Sequence, residues 1–272
     1  MGDQFSTPVR EYMSKSLVAV RPTTPLHEVL ETLRARDVSS VAVTEEDGVL
    51  RGIVSMTDLL RVADIRHDST RELPLITPPG RLASDIMKTD VVTVDEAESV
   101  AVAAARMIDR RIHRLIVTRR GHAVAVFSTR DMMRVVLFHH IETPLSEIMT
   151  TPVETVEVGA PIDEAINRLT ETNVRGLVVV DGDVPVGVFT QTEALTSRVL
   201  PEAVRRMPVE EVMSYEAVSL DAKTPLYRVA GQAVASRARR VMAVENGKLV
   251  GIVTGFDLAR IAMVADSRSP AQ

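Results

Sequence analysis

The chain has 272 residues, which is enough for one or two domains with a substantial core. Its net charge of −5 and aromatic content of 3% argue against a dedicated nucleic-acid-binding protein, which normally presents a basic face and stacking platforms. The absence of cysteine excludes disulfides and thiolate metal sites, and no apolar run approaches the ~18 residues of a membrane span. Because the N-terminus also lacks the apolar core of a signal peptide, we expect a cytoplasmic protein with no membrane segment.

A short motif ending in methionine recurs four times and predicts four copies of one structural unit. The four methionines are separated by 74, 62 and 64 residues and are Met13, Met87, Met149 and Met213. Downstream of each methionine, apolar residues with the 0-3-4-7 spacing of an amphipathic helix recur at the same offsets. These predicted helical faces lie at residues 26–33, 100–107, 162–169 and 226–233.

Each predicted helix lies between a short strand and a hairpin. The preceding strands are predicted at residues 17–20, 91–94, 153–156 and 217–220. The hairpins are predicted at 40–43 with 52–55, 115–117 with 124–127, 177–180 with 187–189, and 241–244 with 251–253. Turns such as Glu46-Asp47-Gly48 are typical of hairpins. A second helix follows, for example at 57–63 and 256–264, so the predicted unit is β-α-β-β-α preceded by a helical turn around its methionine.

Units of this size bury little apolar surface alone, so we expect them to pair. Residues 65–81 form a long, polar, proline-rich linker, whereas residues 135–144 are predicted to continue largely as helix. We therefore predict two modules, residues 1–140 with units at about 8–64 and 82–137, and residues 141–272 with units at about 144–200 and 208–266.

A second motif lies where the last strand of each hairpin becomes a helix. It reads G-h-h-S/T-x-x-D, with h an apolar residue, and its acids are Asp58, Asp131, Glu193 and Asp257. The first and last copies match fully, the second has Ala125 in place of glycine, and the third has glutamate in place of aspartate. A carboxylate three residues after a hydroxyl can hold a vicinal diol and can also cap the helix.

A His-Arg pair, His113 and Arg114, precedes the first strand of the second hairpin. Imidazole and guanidinium groups donate hydrogen bonds to anionic groups such as phosphate. The repeat offsets map His113 onto Ser39, Arg175 and Arg239, and map Arg114 onto Ser40, Gly176 and Arg240. A cation on one side and a diol acceptor on the other is the arrangement that a nucleotide needs.

These four copies resemble the CBS domain and cover nearly the whole chain. The resemblance implies an α/β fold of four tandem β-α-β-β-α units paired into two pseudo-two-fold Bateman modules, as in the gamma subunit of AMP-activated protein kinase. It also implies clefts that bind AMP, ADP, ATP or S-adenosylmethionine as a regulatory ligand. In such clefts the motif acid holds the ribose with help from the Ser/Thr, the second motif residue lines the base pocket, and the basic residue before the hairpin meets phosphate.

The four predicted clefts are unequal. The Asp131 cleft is the most complete and the Asp257 cleft comes next. The Asp58 cleft has no cation of its own and would borrow His113 or Arg114, and the Glu193 cleft is expected to be empty because the longer side chain alters the reach to the diol. The residues predicted to bind nucleotide are Ser128, Arg130, Asp131, Val126, His113 and Arg114 with Val38, Ser39 and Ser40 from the paired unit; Thr254, Asp257, Ile252, Arg239 and Arg240 with Arg175; and Ser55, Thr57 and Asp58.

Motifs of catalytic sites are missing from the sequence, so no enzyme activity and no catalytic cofactor are expected. The adjacent His139 and His140 do not share a helix face and predict no metal site. The preferred interpretation is an energy-sensing regulatory protein that binds an adenine nucleotide and signals to an unknown protein partner, as a homodimer or as an intrachain disc of two modules. Two alternatives stay open: an interaction scaffold whose motifs only cap helices, and a nucleic-acid-linked regulator.

Overall fold

The computed structural model describes residues 5–62, 64–65, 75–76, 80–172, 174–198 and 200–266. The chain forms two compact units. The larger unit comprises Met1–Tyr12, Ala97–Arg114 and Phe127–Gln272, and the smaller unit comprises Met13–Glu96 and Leu115–Val126. None of the helices in the described ranges has the length and apolar character needed to span a bilayer.

The order of helices and strands repeats four times. The first repeat contains β1 (Ala19–Val20), α1 (Leu26–Ala35), β2 (Ser40–Thr44), β3 (Leu50–Ser55) and α2 (Met56–Val62), and is followed by β4 (Asp64–Ile65) and β5 (Leu75–Ile76). The second contains β6 (Thr93–Asp95), α3 (Val100–Asp109), β7 (Arg114–Arg119), β8 (His122–Ser128) and α4 (Thr129–Phe138). The third contains β9 (Thr155–Glu157), α5 (Ile162–Glu171), β10 (Gly176–Asp181), β11 (Val184–Thr190) and α6 (Gln191–Ser197), and is followed by α7 (Glu202–Arg205). The fourth contains β12 (Ala217–Asp221), α8 (Leu226–Ala235), β13 (Arg240–Glu245), β14 (Lys248–Thr254) and α9 (Gly255–Asp266).

Each repeat builds a three-stranded sheet around the first strand of its hairpin. The strand orders are β1-β2-β3, β6-β7-β8, β9-β10-β11 and β12-β13-β14. The initial strand of each repeat pairs in parallel with the central strand, so the intervening helix makes the crossover. The 0-3-4-7 sets predicted from the sequence are buried on α1, α3, α5 and α8. The predicted β-α-β-β-α repeat is therefore confirmed.

The short turn that precedes each repeat packs on the other repeat of its pair. These turns are 3₁₀ helices at Val9–Glu11, Ala83–Asp85, Leu145–Glu147 and Val209–Glu211, and we call them the exchanged turns. Leu145 N donates to Thr224 O at 2.9 Å, and Val209 N donates to Ala160 O at 2.8 Å, so the third and fourth repeats exchange turns reciprocally. The first and second repeats do the same through Ala83 N to Thr24 O and Val9 N to Glu98 O, both at 2.8 Å.

The repeated methionines explain the glycine of the second motif. A Cβ atom on Gly251 would overlap Met149 Sδ, and one on Gly187 would lie 2.7 Å from Met213 Sδ. Gly52 stands in the same relation to Met87, at 2.8 Å. Glycine at these positions lets the methionine that follows each exchanged turn pack directly on the hairpin backbone.

Helices of the second and fourth repeats pack together in the larger unit. Helix α3 packs on α9, and α4 packs on both α8 and α9. The contact brings two copies of the second motif next to each other, so close that a Cβ atom on Gly255 would overlap Thr129 O. A separate apolar cluster of Val178, Val180, Val188 and Met242 joins the sheets of the third and fourth repeats.

The connections between repeats differ from the predictions. Strands β4 and β5 form an antiparallel ladder within the predicted linker, whose residues 66–74 and 77–79 lie outside the described ranges. The prediction that residues 135–144 continue largely as helix was wrong, because α4 ends at Phe138 and His140 adopts a φ of 49°. Helix α7 was not predicted. The proposed module boundary after residue 140 stays a prediction.

Candidate functional site

The four motif acids share one set of hydrogen bonds, which caps the helix that follows. The backbone N–H of the motif Ser/Thr donates to the carboxylate three residues later, at 3.0 Å for Asp58 and 2.8 Å for each of Asp131, Glu193 and Asp257. The hydroxyl donates to the same oxygen, at 2.7 Å for Ser128 and 2.8 Å for Thr254. Ser55 and Thr190 make the equivalent hydroxyl bond. One carboxylate oxygen in each motif is thus used at the helix N-terminus, where negative charge is favoured.

The second carboxylate oxygen distinguishes the three aspartates. Asp58 Oδ1 pairs with Lys88 Nζ at 3.0 Å, with Arg61 farther away at 3.9 Å. Lys88 follows the exchanged turn of the second repeat, so the other repeat supplies the cation at this carboxylate. The prediction that the Asp58 cleft borrows His113 or Arg114 for phosphate stays a prediction. Burial alone raises the pKa of Asp58, but the bonds from Ser55 and Lys88 outweigh it and leave the pKa below the ordinary value.

The carboxylate of Asp257 has partners on both oxygens. Asp257 Oδ1 accepts from Thr150 Oγ1 and from Arg260, each at 3.0 Å, and the residue is only 4% exposed. In contrast, the partner of Asp131 Oδ1 among the described residues is Arg134, at 3.9 Å. Burial raises the pKa of Asp131 more than its bonds with Ser128 and the nearby charges lower it.

Five basic side chains at the starts of equivalent strands come together in the larger unit. We call them the basic cluster, and they are His113, Arg114, Arg175, Arg239 and Arg240. Three repeats contribute to it, at β7, β10 and β13. The sequence assigned the histidine and Arg114 to one cleft and the other three arginines to another, whereas in the structure all four arginines act electrostatically on the same imidazole.

His113 is held neutral by its surroundings. Burial, followed by the charges of Arg175 and the other arginines of the basic cluster, lowers the pKa of His113 to about 3. Its ring meets the Phe256 ring edge to face, with centroids 4.3 Å apart. The Arg175 guanidinium lies 5.7 Å from the Phe256 centroid and donates to Arg111 O at 2.7 Å. The positive charge of the basic cluster near neutral pH therefore comes from its arginines.

Arg240 and Arg114 are the half-buried arginines of the basic cluster, whereas Arg175 and Arg239 are exposed. Burial lowers the pKa of the Arg240 guanidinium, while the charge of Glu193 acts in the opposite direction. Arg239 pairs at 4.0 Å with Glu216. Two glutamates thus act on the arginines of the fourth repeat, and the gathering of four guanidinium groups in one place is the electrostatic setting of an anion site.

The basic cluster is linked to the Asp131 turn through the backbone. Thr129 N, in the first turn of α4, donates to His113 O at 2.9 Å. Arg130 is exposed beside Asp131 on the same turn. The structure therefore brings the predicted phosphate-binding residues next to the predicted ribose-binding turn.

The remaining predicted residues lie on neighbouring strands and turns. Ile252, in β14, exchanges backbone hydrogen bonds with Thr150 at 2.8 and 3.1 Å, and Thr57 lies in the first turn of α2. Val126 belongs to the smaller unit, as do three residues at or before the start of β2, which are Val38, Ser39 and Ser40. Their predicted contribution to the Asp131 site stays a prediction.

Sequence reasoning missed four residues around the motif acids, namely Lys88, Thr150, Phe256 and Arg260. Lys88 and Thr150 directly follow repeated methionines, so the alignment of the repeats could have marked their position. Arg260 lies three residues after its aspartate, as Arg61 and Arg134 do, which is the spacing of a helical ion pair. Among the described residues no group of three or more histidines and acids could hold a metal ion.

The CBS domain family model matches residues 9–64, 83–137, 145–199 and 209–263. The chain belongs to the CBS-domain family. This CBS-domain chain is 20% identical over 205 residues to the uncharacterized protein MJ1225 of Methanocaldococcus jannaschii, with 70% of each sequence covered. The crystal structure of MJ1225, a proposed archaeal homologue of g-AMPK, matches with a TM-score of 0.71 at 17% identity and covers 94% of this chain and 99% of that one. The predicted arrangement of four CBS repeats is therefore confirmed.

Two further relatives are more limited matches. The A-adding tRNA nucleotidyltransferase of Geobacter sulfurreducens is 23% identical over 274 residues, but these cover 96% of the CBS-domain chain and only 29% of that enzyme. A CBS domain protein from Pyrobaculum aerophilum, complexed with AMP, is 26% identical and covers 49% of this chain and 97% of that one, with a TM-score of 0.39. The family is regulatory and typically non-catalytic.

Proposed function

We propose that the protein is a non-catalytic regulator that binds an adenine nucleotide in the larger unit, with the ribose on Asp131 and the phosphates on the basic cluster. The observation that carries the proposal is the convergence of four arginines from three repeats on one imidazole, directly beside the Asp131 turn. Guanidinium groups brought together in a partly buried place repel one another, and an anionic phosphate would relieve that repulsion.

Asp131 is the motif aspartate with the least committed carboxylate. Its Oδ2 accepts both bonds from Ser128. Within the part of the chain that the structure describes, the partner of Oδ1 is the distant Arg134, whose side chain is 58% exposed and can turn away. The hydroxyls of a ribose would donate to Oδ1 and supply the bonds that a buried carboxylate lacks.

The charge of the basic cluster selects among the adenosine ligands. AMP, ADP and ATP carry anionic phosphates, which pair with guanidinium groups in bidentate geometry. S-adenosylmethionine carries a sulfonium and an ammonium group besides one carboxylate, so its net charge is positive and the arginines attract it less than they attract a phosphate. We therefore propose an adenine nucleotide, and not S-adenosylmethionine, as the ligand.

Regulation would follow from differential binding. A nucleotide held by side chains of several repeats binds more tightly to the arrangement that brings those side chains closest, so it shifts the protein toward that arrangement. A protein partner that prefers one arrangement would then respond to nucleotide levels. We also propose energy sensing, a homodimer or an intrachain disc, and a cytoplasmic location. Size-exclusion chromatography tests the oligomeric state, and cell fractionation tests the location.

The scaffold alternative is supported by the capping bonds. All four motif acids cap a helix, so the motifs have a structural role whether or not a ligand binds. A scaffold predicts no change in thermal stability with any adenosine compound. The nucleic-acid alternative has only the basic cluster in its favour, and it predicts a salt-dependent gel shift.

Titration calorimetry with AMP, ADP, ATP, adenosine and S-adenosylmethionine tests the proposal. Asp131→Asn keeps an oxygen that can cap α4 but removes the charge that attracts the ribose hydroxyls, and it should weaken AMP binding at least about tenfold. Asp109→Asn, at the 80% exposed end of α3, is the matched control and should bind like wild type.

A second variant separates phosphate from ribose binding. Arg175→Gln should weaken AMP binding and leave the weaker binding of adenosine unchanged, because adenosine lacks the phosphate. Equal affinities of wild type and Asp131→Asn for AMP would remove this site from the proposal. The absence of heat with every compound would leave the scaffold.

A further inference from the structure

The residue after each repeated methionine lies against the hairpin of the paired repeat. We call these the post-methionine residues, and they are Ser14, Lys88, Thr150 and Ser214. Lys88 exchanges two backbone hydrogen bonds with Ile53, both at 3.0 Å, and Thr150 exchanges two with Ile252, at 2.8 and 3.1 Å. Their side chains therefore start from a backbone position that is fixed relative to the neighbouring motif.

Two of the post-methionine side chains bind a motif acid. Lys88 Nζ lies 3.0 Å from Asp58 Oδ1, and Thr150 Oγ1 donates to Asp257 Oδ1 at 3.0 Å. In both cases the atom contacted is the carboxylate oxygen that the capping bonds do not use. The side chain thus stands where a ribose hydroxyl would donate.

The other two post-methionine side chains bind backbone atoms. Ser14 Oγ accepts from Val126 N at 3.0 Å and donates to Ser16 O at 3.1 Å. Ser214 Oγ accepts from Glu216 N at 3.1 Å. The same position in the repeat thus has two different uses: Lys88 and Thr150 bind a motif carboxylate, whereas the shorter serines bind backbone atoms.

The two acids bound in this way are also the most buried. Asp58 is 6% exposed and Asp257 is 4% exposed, and each has partners on both carboxylate oxygens. A neutral diol that approached Asp58 would have to replace a charge-assisted hydrogen bond with an uncharged one, which is unfavourable in a buried place.

We propose that the post-methionine residue determines which motif aspartate is open to a nucleoside diol, with Lys88 closing Asp58 and Thr150 closing Asp257. Asp131 is then the open aspartate of the chain. This inference refines the proposed function, since it assumes that a motif acid can hold a ribose. It predicts that the protein binds fewer nucleotides than it has motif aspartates.

Equilibrium dialysis with AMP measures the number of sites in the intact chain. Lys88→Ala should bind one more AMP per chain than wild type. The added site should disappear with 2′-deoxy-AMP, which lacks the vicinal diol, and in the double variant Lys88→Ala/Asp58→Asn. Lys248→Ala is the matched control, because Lys248 pairs with Asp183 at 2.7 Å on the exposed surface, and it should bind like wild type.

A second variant and a second measurement keep the test decisive if Lys88→Ala does not fold. Thr150→Val is nearly isosteric and removes only the hydroxyl. Combined with Arg260→Ala, which removes the other donor to Asp257 Oδ1, it should raise AMP binding at Asp257. In wild type, saturating AMP should leave the carboxyl ¹³C resonance of Asp58 unmoved. A shift of that resonance, or unchanged stoichiometry in a folded Lys88→Ala protein, would overturn the inference. If wild type bound no AMP and Lys88→Ala bound AMP, the proposed function would be contradicted, and the inference that Lys88 closes Asp58 would be supported.

Discussion

Mild acid is expected to destabilise the protein through His113. Burial and the surrounding arginines hold the pKa of this residue at about 3 in the folded chain, whereas histidine in an unfolded chain titrates near 6.5. As the pH falls below about 6.5, the unfolded chain takes up a proton that the folded chain does not bind. The free energy of unfolding therefore falls progressively between about pH 6.5 and pH 3, and this loss is absent above that window.

The size of this effect follows from the number of protons. A difference of one proton between the two states changes the free energy of unfolding by at most about 1.4 kcal/mol per pH unit. Between about pH 6.5 and 4.5 we expect a loss of about 2 kcal/mol from His113 alone. His139 adds to the loss in the same direction, because burial lowers its pKa as well.

Urea unfolding in a phosphate-free buffer, repeated between about pH 7 and 4.5, measures the loss. His113→Gln keeps a hydrogen-bond donor but cannot take up a proton. Between about pH 6.5 and 4.5 the free energy of unfolding of this variant should therefore fall by about 2 kcal/mol less than that of wild type. His122→Gln replaces an exposed histidine of β8 and should follow wild type. Equal pH dependence in wild type and His113→Gln would refute the reasoning, as would an NMR titration that places the pKa of His113 near 6.5.

Three further predictions concern packing, capping and charge. Gly251→Ala should lower the free energy of unfolding by about 1–3 kcal/mol, because the added Cβ would overlap a methionine sulfur, whereas Gly159→Ala, with nothing within 4 Å, should change it little. Ser128→Ala removes the hydroxyl of the capping box of α4 and leaves the bond from the Ser128 N–H to Asp131, so it should lower the midpoint in urea by an amount equivalent to about 1 kcal/mol. Lys88→Met should destabilise the protein by about 1–3 kcal/mol near pH 7, and this difference should shrink toward acid pH, because a protonated Asp58 no longer needs the ammonium.

Local structure could be predicted from the sequence because its signals lie close together along the chain. The 0-3-4-7 sets identified the buried faces of α1, α3, α5 and α8, and the alternation of strands and turns identified the hairpins. The hydroxyl–acid spacing indicated helix caps, which the structure has in all four repeats. Each of these features depends on contacts within a few residues.

The contacts between repeats could not be predicted in the same way. Lys88 meets Asp58 because an exchanged turn carries the lysine onto the hairpin of another repeat, and no local pattern reports that crossing. The basic cluster likewise forms from β7, β10 and β13, which the sequence divided between two clefts. The end of α4 was misjudged because its last residues are apolar, and apolar character alone does not show where a helix terminates.

The exchanged turns have a consequence for how such a chain can be shortened or extended. A single repeat cut out of the chain would carry the exchanged turn that packs on its neighbour. It would lack the exchanged turn that covers its own helix and hairpin. Both halves of a pair must therefore be present before either is complete. An array built in this way gains or loses repeats by twos, and fragments that contain an odd number of them should expose an apolar face and aggregate.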